Sequence, residues 1–129
     1  MSGFTDYLED ALLKHVFTNT AYTSPTTVYA ALFTVAPSDT GGGTEVSGGA
    51  YARQSMAFSV SGTGTLATNS AAVEYPTATA DYGTVVAVGI FDASTSGNLL
   101  AYANLTANKT VSSGDVFRFN AGDVDITLT

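Results

Sequence analysis

The sequence predicts a mainly β fold: a β-sandwich or jelly-roll-like single domain over residues 1–129, with one N-terminal α-helix at about residues 5–17. Three observations predict it. Short runs rich in Val, Ile, Tyr, Phe and Thr recur after Pro25, separated by Gly, Ser, Asp and Asn, which is the punctuation of antiparallel strands. One run, Thr84–Phe91, is apolar on both faces, as a central strand must be. Only the segment before Thr18 shows apolar residues at helical spacing.

The helix begins at Thr5, a good N-cap, with Asp6, Glu9 and Asp10 near the start and Lys14 and His15 toward the end. Both charge placements suit the helix dipole. Leu8, Ala11, Leu12, His15 and Val16 fall on one stripe, broadened by Leu13 and Phe17, and this stripe is expected to dock on the sheet. Phe4 and Leu8 are spaced for a hydrophobic staple around the cap.

Pro25 opens the first long strand, Thr26–Val35, with both faces apolar. Residues 37–49 then hold five glycines in 13 positions and read as a flexible loop. Tyr51–Val60 is the next strand, with Ala52, Gln54, Met56, Phe58 and Val60 on one face. A turn at Ser61–Gly64 leads to short strands at Thr65–Thr68 and Ala71–Tyr75, the second stopped by Pro76. After Thr84–Phe91 comes a turn at Asp92–Asn98, then strands at Leu99–Leu105, Lys109–Val111 and Val116–Phe119. In the last strand Val124, Ile126 and Leu128 alternate with Asp125, Thr127 and Thr129. Seven to nine strands result, with no internal repeat.

Composition narrows the function. Charged residues are 12% of the chain, against about 25% in an ordinary soluble domain, so the surface is polar but largely uncharged. The net charge is −7 and the only cations are Lys14, Arg53, Lys109 and Arg118. These cannot form the basic face that phosphate binding needs, so neither nucleic acid nor an anionic membrane is an expected partner. The chain has no cysteine, which excludes disulfides and Cys-ligated zinc. Acids replace the basic start of a signal peptide, so synthesis in the cytoplasm without general secretion is expected. No run reaches the length of about 18 apolar residues that a membrane span needs.

No constellation points to catalysis or a cofactor, and the chain is expected not to be an enzyme. His15 is the sole histidine and has no partner residue at a spacing that supports a general base. Gly41–Gly43 lacks the following Lys of a phosphate loop. Asp123 and Asp125, two apart on a strand, share a face without further support for paired-carboxylate chemistry. Asp92 and Asp115 lie in no calcium-loop motif, so no metal is expected. Arg53 is expected to pair with an acid such as Glu74, or with a carboxylate of a neighbouring subunit. The seven tyrosines suit either interfaces or a sandwich core.

Several ordered blocks resemble a family of small virion proteins of tailed bacteriophages. They are Phe4-Thr5-Asp6-Tyr7-Leu8-Glu9-Asp10 running on to Phe17, Tyr22–Thr34, Gly48–Gln54, Asn69–Pro76 with Ala80–Thr84, and Val88–Ala93 with Gly97–Leu100. Members are labelled head decoration, minor tail or tail-fibre-like proteins. The resemblance implies a virion component made in the host bacterial cytoplasm. A capsid decoration (cement) protein bound to the major capsid protein is the favoured expectation, because the chain lacks a fibre repeat. A tail or tail-fibre module that attaches to the host or its glycans is the alternative. A homo-oligomer, preferably a trimer, is expected. The candidate partner or oligomer contacts are Phe4, Asp39, Gly42, Glu45, Tyr51, Arg53 and Tyr82.

Overall fold

In the computed structural model, residues 2–60, 62 and 64–127 are described. Features expected at Met1, Ser61, Thr63, Leu128 and Thr129 lie outside them. The elements in chain order are β1 (Ser2–Phe4), α1 (Asp6–Phe17), β2 (Tyr29–Val35), β3 (Thr44–Glu45), β4 (Gln54–Ser55) and β5 (Phe58–Val60). There follow β6 (Leu66–Asn69), β7 (Val73–Glu74), β8 (Gly83–Phe91), β9 (Leu99–Val111), β10 (Arg118–Phe119) and β11 (Asp125–Thr127). The fold is mainly β, with one helix near the N-terminus, as the sequence predicts.

The runs that are apolar on both faces form the middle of the largest sheet. Its order is β1-β9-β8-β2-β3, with β4 also paired to β2. Two small sheets, β10-β7 and β11-β6-β5, complete the structure. Every pairing is antiparallel. Register places Leu32, Val88 and Ala103 in one row and Ala30, Ile90 and Ala101 in the next. These side chains share a face, since side chains alternate along a strand. They join Val73, Tyr75, Phe117, Phe119, Val124 and Ile126, from the smaller sheets and their flanks, in the main core. At its centre the Tyr75 ring meets Phe117 and Phe119 edge-on, with centroids 5.8 and 6.3 Å away. The Tyr75 hydroxyl donates to the Ala30 carbonyl at 2.7 Å, so its polar tip is satisfied inside the core.

The opposite face of the large sheet buries a smaller cluster, Ala31, Phe33 and Ala87. Gly89 leaves room for the side chains of that face. A Cβ at this position would lie 2.6 Å from Phe33 Cε1 and 2.8 Å from Leu99 Cδ1, too close for real contacts.

Three expectations need correction. The predicted strand Tyr51–Val60 divides into β4 and β5, because the chain changes sheets at Met56. Met56 is buried, and its N–H donates to the Val28 carbonyl at 3.0 Å. The predicted strands Leu99–Leu105 and Lys109–Val111 are one strand, β9. Val85 pairs with Lys109 and Ala87 with Asn104, so residues 105–108 bulge opposite Val86 alone. Exposed Thr106, Ala107 and Asn108 carry no apolar alternation to reveal a strand, yet β8 continues beside them. Thr44–Glu45, read as loop, pairs with β2.

The helix is also only partly as expected. Thr5 caps it: Oγ1 accepts from the Leu8 N–H at 3.4 Å and donates to the Leu99 carbonyl at 2.6 Å. However, α1 has no buried residue. Leu8, Ala11 and Leu12 are half-buried, whereas His15 and Val16 from the same predicted stripe are exposed, as are Leu13 and Phe17. The helix lies against β1 and β9, and this narrow edge covers one stripe of the helix and no more. No helix among the described residues is long and apolar enough to cross a membrane.

Candidate functional site

Of the seven residues expected to make contacts, three form one internal cluster. Arg53 Nε and Nη2 donate to the two oxygens of Glu45, each at 2.9 Å, a bidentate fork. Arg53 Nη1 donates to the carbonyls of Ala93 (3.1 Å) and Ser96 (2.8 Å). Its guanidinium carbon lies 3.7 Å from the Phe91 ring centroid, and Phe91 stacks on Phe33 at 6.2 Å. The Tyr51 hydroxyl donates to Glu45 at 2.7 Å and accepts from the Leu32 N–H at 3.0 Å. Arg53 therefore pairs with Glu45, not with the expected Glu74; Glu74 meets Arg118 at 3.6 Å on the surface. Position in the sheet decides this, because β3 and β4 both lie along β2 and bring residues 45 and 53 together.

The electrostatics follow. Burial pushes the Glu45 carboxyl up, but the hydrogen bonds from Arg53 and Tyr51, with the Arg53 charge, outweigh it and hold the pKa below its ordinary value. Burial, then the hydrogen bond to Glu45, pushes the Tyr51 phenol up.

Tyr82 adjoins this cluster, its ring edge-on to Tyr51 with centroids 5.7 Å apart, and the other three residues lie apart from it. Tyr82 is buried and its hydroxyl donates to the Pro76 carbonyl at 3.0 Å. Phe4 is half-buried and packs against the main core. Gly42 is exposed, with φ +76°. Asp39 is exposed and ties the loop to the helix start: its carbonyl accepts from the Asp6 N–H at 2.8 Å, and its carboxylate accepts from the Tyr102 hydroxyl at 2.5 Å. The hydrogen bond to Asp39, followed by burial, pushes the Tyr102 phenol up to about 12.

The residues considered for chemistry hold turns. His15 Nδ1 accepts from the Tyr22 N–H at 3.1 Å and closes the chain behind the helix. Asp92 accepts from the backbone and side-chain amides of Asn98. Asp115 accepts from the Ser112 N–H and Asp123 from the Asn120 N–H. Asp123 precedes β11 rather than lying in it with Asp125, so the expected shared strand face does not form. Among the described residues, no three His, Cys, Asp or Glu side chains are grouped to hold a metal.

Asn69 is a structural residue that sequence reading missed. It is buried and anchors β6 to the 120–124 turn. Its Nδ2 donates to the carbonyls of Ala71 (3.0 Å) and Asn120 (2.9 Å), while Oδ1 accepts from the Val124 N–H at 2.8 Å. No spacing signal marks it, because its partners lie as far as 55 residues away.

Two surface features remain. An open cavity of about 620 Å³ lies beside the β9 bulge, lined by Leu105, Phe117, Phe119 and Val124 with Asn104 and Lys109. The outer side of α1 is the second, with Leu13, Val16 and Phe17 exposed by 59, 66 and 77%.

Paired antiparallel sheets, polar residues spent on turns and strand packing, and an apolar helix side left open describe a β-rich structural module. Residues 3–127 match the model of a family described as podophage GP4 fiber I protein gp80. The chain belongs to that family, one of small structural proteins of tailed phages, and has a structural role in the virion. No curated protein matches it.

Proposed function

We propose that the chain is a non-enzymatic component of the tail fibre apparatus, working by assembly with neighbouring virion proteins. The family's description as a fibre protein carries this reading. It favours the tail-fibre alternative over the capsid decoration role put first from sequence. The chain does not build a long shaft, since it has no repeat to propagate. It serves instead as a compact unit joined to other fibre or tail parts. Binding only the assembled particle, it stabilises that state by mass action.

Immunogold labelling of purified virions with antibody to this chain tests the reading. Gold at the tail is the expected result; gold distributed over the shell restores capsid decoration and overturns the fibre role.

A further inference from the structure

The exposed side of α1 is divided along its length. At 100° per residue, Asp6, Glu9, Asp10, Leu13, Val16 and Phe17 fall on one side of the helix, opposite half-buried Leu8 and Ala11. The acids occupy its first half and the apolar residues its second half. The acids have a reason within the fold, because they complement the helix dipole, and Asp10 also pairs with Lys14 at 2.9 Å. Leu13, Val16 and Phe17 have none: they cover no part of the core.

We infer that this side of α1 is the docking surface for a different virion protein, one offering a groove that is apolar at one end and basic at the other. Charge selects this occupant over a second copy. Each copy carries net charge −7. Parallel helices would set Asp6 and Glu9 against their own counterparts, and antiparallel helices would set those acids against Leu13 and Phe17. A groove with Lys or Arg at one end satisfies both halves, in the manner of a helix laid into a partner's groove. This inference rests on the virion role and adds the surface that secures the chain.

The test is incorporation into particles. A phage deleted for the gene is complemented with wild-type chain, with Leu13→Gln/Val16→Gln/Phe17→Gln, or with Asp6→Asn/Glu9→Gln, and the chain is quantified in purified virions. Urea unfolding and sedimentation of each isolated protein accompany it. The apolar triple variant should keep its unfolding midpoint, since those side chains are exposed, yet fall at least tenfold in incorporation. The acid variant should fall several-fold, and its rebinding to chain-depleted particles should lose much of the wild-type salt dependence. Incorporation of the folded triple variant at the wild-type level overturns the docking surface while leaving the virion role intact. A wild-type oligomer that the triple variant splits into monomers assigns the surface to a second copy and overturns the inference. Absence of wild-type chain from purified particles overturns both this inference and the function it rests on.

Discussion

Arg53 is clamped between a carboxylate and an aromatic ring: its fork meets both oxygens of Glu45, and its guanidinium lies 3.7 Å from the centre of Phe91. Only 9% of the Arg53 side chain is exposed. The pair joins β3, β4 and the 93–96 turn, and it explains why one of only four cations sits inside the fold rather than on its surface. Arg53→Ala should cost about 2–3 kcal/mol in urea unfolding, below the figure for a fully buried pair because Glu45 keeps some solvent contact. Arg53→Lys should recover little of it, since an ammonium cannot make the fork or stack as a plane.

The same cluster predicts an acid-sensitive stability. The folded pKa of Glu45 is depressed below 4.5, so its contribution is fully present above the unfolded value and is lost as pH falls through the folded value. Urea midpoints measured from pH 7 down to pH 3 should decline in the wild-type protein. Glu45→Gln should be less stable at pH 7 and show a shallower decline over that acid range. A parallel decline in the two proteins would show that other carboxylates govern the acid limb.

Asn69 gives a substitution of nearly constant shape and large expected effect. In Asn69→Asp an oxygen replaces the amide that donates to Ala71 and Asn120, leaving two carbonyls facing an acceptor in a buried site. The cost should be about 3 kcal/mol at pH 7 and smaller near pH 4, where the introduced carboxyl is more readily neutral. Equal loss at both pH values would mean that the missing amide donor alone, and not the charge of the introduced carboxylate, sets the cost.

Sequence legibility followed how local each cause is. The Thr5 cap and the central run Thr84–Phe91 could be read because a few adjacent residues determine each. The β9 bulge could not, because exposed Thr106, Ala107 and Asn108 are strand residues through their neighbour β8. The same limit hid the Glu45–Arg53 pair and the reach of Asn69, which depend on which strands become neighbours. On the helix, periodicity placed Leu8, Ala11, Leu12, His15 and Val16 on one docking stripe, broadened by Leu13 and Phe17, without revealing how narrow a part of it the sheet would cover. Leu8 and Leu12 took the sheet side; Leu13, Val16 and Phe17 did not. The candidate contacts fared similarly: Glu45, Tyr51 and Arg53 came together, but as neighbours bonded to one another.

The strand pairing also sets an order of events during synthesis. β1 waits for β9, about a hundred residues later, β7 waits for β10, and β6 waits for β11. A nascent chain that has reached Phe91 can align β8 with β2 and β6 with β5, but the strands that pair with β1, with β7 and with the second edge of β6 have not yet been made. The core therefore closes only after residues 118–127 leave the ribosome. Until then the apolar faces of β2 and β8 lack the strands that cover them in the finished fold, the kind of exposure that favours aggregation over folding.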